Sequence, residues 1–436
     1  MIELILWTAG GFSVVRTFFW VYRRINGANV MSKIRSDLSS FVEASDKINS
    51  LFPPQYVLTI PTISDHAVVP SSPKTGGSDW IMKTEPHVRT VRERLQFRIK
   101  IAAEAAPFFK EALEYTQKKS GKMIRSRLIF LLGDALALES ESMILLSQVV
   151  ELEHCASLLH DDVVDDADTR RGVESHRKVF GDRIAVLTGD NLISILVDVL
   201  TEIGNMRVTE CVSESIQALV VGELLQLVSK QDSFNYTDAH KAIFFPFHVC
   251  GDLSLNPDLL NRMYLYIRKS YFKTASLFAT LSESCGILSL KECEKSSKSL
   301  ASFGFFFGLA FQIIDDILDV EDLSEEGSAE VGKPVGGSDI RNGTVTLPVL
   351  FACVQKANLT DSERSEMLKM VKRRFSLGGD PERTLQLLVK SDAIQMCRKI
   401  VYHYLNRCRS DLRTIFRNKP LPALEQLLIE YEFRKS

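Results

Sequence analysis

The stretch His160 to Arg171 reads His-Asp-Asp-Val-Val-Asp-Asp-Ala-Asp-Thr-Arg-Arg, with five carboxylates within eight residues and two arginines directly after them. It follows a long apolar run, Met143 to Leu159, with polar residues at helical intervals. Crowding carboxylates at the end of a buried helix is costly unless cations neutralise them. Their oxygens suit a hard divalent ion such as Mg²⁺, which commonly brings phosphates with it. The paired Arg170 and Arg171 suit the anionic end of such a ligand. Asp161, Asp162 and Asp165 form the pattern DDxxD. On a helix Asp161 and Asp165 share a face and can hold one ion, while Asp162 sits to one side.

One such cluster is more often a solvated helix cap than a site, but the spacing occurs twice. Asp315, Asp316 and Asp319 lie in Phe-Gln-Ile-Ile-Asp-Asp-Ile-Leu-Asp at 311–319. They too close an apolar helix, one that carries Phe303, Phe305, Phe306, Phe307 and Leu309. If the two helices meet, six carboxylates line one cavity and can hold several metal ions around a diphosphate.

The elements that must position them are helical. Apolar residues recur three and four apart near 87–118, 123–138, 141–165, 182–203, 209–230, 262–288, 292–321, 346–357 and 381–416, and no stretch alternates with period two. The expectation is an all-α fold, one large helical-bundle domain over 86–436 with a central cavity. Residues 38–85 read as an irregular arm, since 52–79 is rich in proline, glycine and serine. Residues 1–37 carry Arg16, Arg23, Arg24, Lys33 and Arg35 against only Glu3 and Asp37. That is the composition of an organellar targeting segment, mitochondrial in type; without it the chain would be cytoplasmic. Arg16 interrupts the apolar run early, against a full membrane span. Composition is that of an ordinary globular protein, with 45% apolar and 25% charged residues. A formal net charge of -2 gives no basic surface for nucleic acid. The eight cysteines contain no CxxC pair, which argues for reduced thiols rather than a disulfide scaffold or structural zinc.

The chain resembles the trans-isoprenyl diphosphate synthases, in which two aspartate-rich motifs face each other across an all-helical cavity. Shared motifs run in order from Gly-Lys-Met-Ile-Arg at 121–125 through Asp-Asp-Val-Val-Asp at 161–165 and Arg-Arg-Gly at 170–172. Gly-Asp at 189–190, Gly-Glu-Leu-Leu-Gln at 222–226 and Lys-Thr-Ala at 273–275 follow. The second aspartate motif, Gly-Lys-Pro at 332–334 and Thr-Leu-Pro at 346–348 complete the series. Each string is weak alone; together and in order they are specific.

The resemblance implies roles residue by residue. Mg²⁺ is held by Asp161, Asp165 and Asp315, with Asp162, Asp316 and Asp319 completing the catalytic acids. Lys122, Arg125 and His154 hold the diphosphate of isopentenyl diphosphate. Arg170 meets the allylic diphosphate and Arg171 the isopentenyl one. Lys273, Thr274 and Gln312 contact the allylic substrate, and Lys333 adds positive charge. The reaction implied is ionisation, condensation and elimination. Family members close the product tunnel early with bulky aromatics at the fourth and fifth positions before the first aspartate. Ala156 and Ser157 stand there and leave the gate open, so a long-chain product of the quinone side-chain type is expected rather than a fifteen-carbon one. The alternatives are a shorter, geranylgeranyl-type product or a non-catalytic subunit of a heteromeric synthase. The latter would show decay of one aspartate motif, and both are intact. A terpene cyclase fits the first motif but not Asp-Asp-Ile-Leu-Asp. Pairing with an identical or related subunit is expected, with peripheral membrane contact a further possibility.

Four departures stand out from the family pattern. Ser126 replaces a usual proline, Val173 to His176 adds an acid, and Asn342-Gly343-Thr344 lacks an expected lysine. Residues 232–262 form an aromatic-rich insertion.

Overall fold

The computed structural model describes residues 58–60, 79–118, 121–170, 172–229, 247–249, 257–289, 294–321, 337–354 and 357–434. Arg171, Lys333, the 1–37 segment and most of the 232–262 insertion lie outside these residues.

Helix α1 (Asp79–Ala105) opens the bundle and α2 (Lys110–Tyr115) follows. The expected single helix over 87–118 is thus divided. Pro107 has no amide to donate and holds Ala106 extended, with φ -134° and ψ 74°. Next come α3 (Ile124–Leu136) and α4 (Ser140–Val164), and then the five-residue α5 (His176–Phe180). Helix α6 (Asp182–Ile203) runs between glycines with φ of 81° and 64°, values that a side chain would oppose. Helix α7 (Met206–Ser229) and α8 (Pro257–Ser270) precede a π-helical turn at Tyr271–Ala275, which feeds α9 (Ser276–Leu288). Helix α10 (Glu294–Glu321) carries the second aspartate motif at its end. Five shorter pieces follow: α11 (Ser338–Arg341), α12 (Leu347–Ala352), α13 (Asp361–Lys372), α14 (Asp380–Lys390) and α15 (Ala393–Ile415), and the chain ends on α16 (Pro422–Glu432).

The all-α expectation holds. Strand structure among the described residues is limited to two short pairs. Leu58–Ile60 runs parallel to Phe247–Val249, and Thr169–Arg170 runs antiparallel to Val173–Glu174. The helical unit begins earlier than expected, at Asp79 inside the 38–85 arm. Trp80 is buried there and its indole N–H donates to Glu430 at 2.6 Å, tying α1 to α16. The final residues of the 232–262 insertion open α8 rather than lying outside the bundle.

At the centre, α10 packs between α9 and α15, and α4 lies against α6. The α9–α10 contact depends on glycine. A Cβ at Gly304 would lie 2.1 Å from the Phe278 carbonyl oxygen, closer than any side chain tolerates. Phe272, Phe278, Phe303, Phe305 and Phe307 fill the space around this seam and are fully buried. No two of the six described cysteines are joined by a disulfide.

One core group is unusual. Glu153 on α4 is buried, and the Ser215 hydroxyl on α7 donates to its Oε1 at 2.7 Å. Burial pushes its carboxyl up to about 8 despite that hydrogen bond. A raised folded pKa means that the fold favours the protonated acid. Its contribution to stability is therefore full below the ordinary value and is lost as pH climbs to about 8. Glu153→Gln removes that dependence. Denaturant unfolding at about pH 5 and about pH 9 should show wild type losing on the order of 3 kcal/mol more than the variant. Equal losses in both proteins would refute the assignment.

Candidate diphosphate and metal site

The ends of α4 and α10 open onto one cavity of about 1290 Å³. Asp161 and Asp165 reach it from α4, and Asp315 and Asp316 from α10. Lys122, Arg125, His154, Ser157, Arg170, Lys273, Thr274 and Gln312 also line it. The structure therefore gathers most of the residues singled out in the sequence.

Lys273 links the first acidic motif to α7. Its Nζ lies 3.1 Å from Asp161, 2.7 Å from Glu223 and 3.1 Å from the Gln226 side-chain oxygen. The π-helical turn places it there; such turns are rare and frequently mark functional positions. Gly222 makes room for it, since a Cβ would come within 2.8 Å of Lys273 Cγ. Burial raises the Asp161 carboxyl, but Lys273 and Arg170 outweigh that and hold it below the usual range. Glu223 is pushed up to about 7, first by burial and then by the Asp161 charge. Gln226 donates to Asp165 at 3.0 Å.

Arg170 donates to Asp161 at 3.2 Å and, through Nε, to Asp162 at 2.8 Å. Asp162 is buried behind the cavity wall, where it orients this arginine. Gly189 serves a similar packing end. A Cβ on it would strike the His160 ring, whose Nε2 lies 3.2 Å from the Val186 carbonyl oxygen.

Across the cavity a chain of hydrogen bonds holds the second motif. Thr274 donates to Gln312 at 2.6 Å, Gln312 donates to Asp316 at 2.9 Å, and Tyr266 donates to Asp316 at 2.6 Å. Burial and the nearby Asp339 push Asp316 up to about 7. Asp315 meets Arg434 at 3.2 Å, so the C-terminal segment reaches into the site. Burial raises its carboxyl against the pull of Arg434 and Arg125.

Besides Asp162, two expected residues lie off the cavity wall. Asp319 accepts from the backbone amide and hydroxyl of Ser338 at 3.1 and 2.7 Å, and from the Asp339 amide at 3.1 Å. It caps the short α11 instead of lining the cavity, and Asp339 lines the cavity in its stead. Ala156 is packed in the core, 1% exposed, so of the two gate positions only Ser157 borders this cavity.

The loop before α3 positions the other cations. Arg127, buried at 5% exposure, donates to the Lys122 carbonyl at 2.9 Å, to the Ile81 carbonyl at 3.0 Å and to Thr84 at 2.8 Å. These bonds support Met123 in a left-handed conformation, φ 49°, between Lys122 and Arg125. Arg125 lies 5.0 Å from the Phe278 ring and its Nε has no hydrogen-bond partner. Ser126, the departure from proline, donates its hydroxyl to Glu151 at 2.6 Å and so adds a tie between α3 and α4.

The residues not singled out beforehand are Asp339, Tyr266, Lys269, Arg127 and Arg434, together with Glu223 and Gln226 inside a quoted motif. Only the last two carried a sequence signal. Among the described residues no three His, Cys, Asp or Glu side chains form a ready metal cage. The donor set still fits Mg²⁺, which takes one or two carboxylates and completes its shell with water and phosphate. Burial, and after it the charge of neighbouring acids, raises the Asp316, Glu223 and Asp339 carboxyls in this cavity.

Taken together, fold and site define an all-α protein built to hold anionic, diphosphate-like ligands between two carboxylate-bearing helix ends. The Polyprenyl synthetase family model matches residues 106–388, and the chain belongs to that family. It is 32% identical over 326 residues to a prenyl transferase of Synechocystis, covering 74% of this chain and 88% of that one. It is 33% identical over 328 residues to the human all trans-polyprenyl-diphosphate synthase PDSS1, covering 73% and 68% respectively. A polyprenyl synthase from Caulobacter crescentus, complexed with calcium and isoprenyl diphosphate, superposes with a TM-score of 0.64 at 25% identity. That match covers 84% of this chain and all of the other.

Asp339 is the acid that sequence spacing did not reveal. Asp339→Ala should lower prenyl transfer roughly 100-fold with far-UV circular dichroism unchanged. Wild-type turnover in the folded variant would remove it from the site.

Proposed function

We propose that this protein is a long-chain all-trans polyprenyl diphosphate synthase that adds isopentenyl units to an allylic diphosphate. One observation carries the reading: Asp161 and Asp165 face the same cavity as Asp315 and Asp316, with Lys122, Arg125, Lys269, Lys273 and Arg434 among them. Two diphosphates side by side repel strongly, and only a site rich in cations can hold both.

Mg²⁺ bound by Asp161, Asp165 and Asp315 would supply the Lewis acidity that stabilises charge building on the departing diphosphate. The chain's own residues supply the rest. Lys273 and Arg170 keep Asp161 ionised as a ligand, and Arg170 and Lys273 face the allylic diphosphate. Lys122, Arg125 and His154 face the isopentenyl diphosphate. The allylic C–O bond breaks with its electron pair leaving on diphosphate, and the isopentenyl double bond forms the new C–C bond. A proton is then lost to restore the alkene, and diphosphate is the base at hand. The small Cys155 and Ser157 on the wall favour products longer than fifteen carbons. The Arg-bearing 1–37 segment supports a mitochondrial location and supply of a quinone side chain. Pairing with a second copy or a related subunit is part of the same reading.

Purified protein incubated with isopentenyl diphosphate, an allylic primer and Mg²⁺ should yield prenyl products longer than fifteen carbons, and chelation should abolish them. Asp161→Ala and Asp315→Ala should each lower turnover by about 100-fold or more. A wild-type chain that makes nothing, or only the fifteen-carbon product, would overturn the reading.

A further inference from the structure

Glu153, Ser157, Asp161 and Asp165 occupy successive turns of one face of α4. The last three border the cavity, and Glu153 is the first residue of that row to fall below it, 2% exposed. On α7 the row Ser215, Leu219, Glu223 and Gln226 behaves in the same way. Leu219, Glu223 and Gln226 border the cavity, and Ser215, one turn lower, is 1% exposed. At this level the two rows are joined by the Ser215 hydroxyl donating to Glu153 at 2.7 Å. Another turn down the helices present Val149 and Val212, both fully buried. A polar rung therefore crosses an apolar seam directly beneath the cavity.

A ligand held at Asp161 must send its hydrocarbon tail away from the carboxylates, and Ser157 and Leu219 are the next residues on that path. A tail going further would have to part Glu153 from Ser215. Hydrocarbon cannot replace that hydrogen bond, and the Glu153 Oε2 already lacks a partner. We propose that the Glu153–Ser215 hydrogen bond is the floor of the cavity's apolar arm and sets the length of the prenyl product. This rests on the synthase reading above. Glu153 acts as a specificity-determining residue, remote from the reacting carbons.

The test is chromatography of dephosphorylated products from wild type, Glu153→Ala, Ser215→Ala, the double alanine variant and Glu153→Gln. Opening the floor should raise the ratio of products at least one isoprene unit longer to the wild-type product, by roughly tenfold. Turnover of the first condensation should stay within about threefold, a split that general damage to the core would not produce. Glu153→Gln keeps an acceptor for Ser215 and should retain the wild-type length. Ser215→Phe raises the floor and should shorten the product. Unchanged product length in the folded alanine variants overturns the inference while leaving the synthase reading intact. No product from the wild-type chain overturns both. If the double variant does not fold, Ser215→Ala alone decides, since it removes one oxygen and leaves the packing in place.

Discussion

The ammonium of Lys273 is the contact on which the site depends. It lies within hydrogen-bonding reach of Asp161, Glu223 and Gln226 and so joins α4 to α7 across the π-helical turn. Without a cation there, two partly buried acids, Asp161 and Glu223, would face one another across two helices, and burial would favour their protonation. With it, Asp161 stays ionised while Glu223 absorbs the remaining strain as a raised pKa. The local geometry serves that placement. Gly222 clears the path of the lysine stem, and the lysine itself sits within the π-helical turn.

The second motif solves the same problem without a lysine in contact. Asp316 is buried and accepts hydrogen bonds from Tyr266 and Gln312, and Asp315 relies on Arg434 from the far end of the chain. Burial and the neighbouring Asp339 raise Asp316 to about 7, and hydrogen bonds from neutral donors offset that only in part. One wall is thus kept anionic and paired. The other holds Asp316 by neutral hydrogen bonds and pairs Asp315 with Arg434.

Much of this was legible from residue types. Two identical acidic spacings at the ends of apolar helices pointed to a shared cavity, and most of the long helices follow the apolar periodicity. What failed did so for tertiary reasons. Asp319 keeps the motif spacing, yet the chain returns beside it and uses the carboxylate to cap α11, so Asp339 takes the cavity position. No local pattern around Ser338 announces that exchange. Arg434 and Tyr266 are equally silent in sequence, because their importance comes from a contact 119 residues away in one case and 50 in the other. The missed helix α13 is different. Thr360 and Glu363 form a capping box that could have been read directly.

A single helix, α4, has to serve two incompatible environments. Its C-terminal turns present acids to a polar cavity, while the turns below present Ser157, Leu158 and then buried aliphatic residues. The change occurs within about two turns, so a ligand bound there is sorted by polarity along the helix axis. Small side chains on the upper turns would admit hydrocarbon indefinitely if the seam stayed apolar. A carboxyl and a hydroxyl at Glu153 and Ser215 break it at one level, at a cost in stability that a purely structural core position would avoid by carrying leucine or valine. Retaining an acid there against that cost is easiest to understand if the boundary itself is what the position contributes.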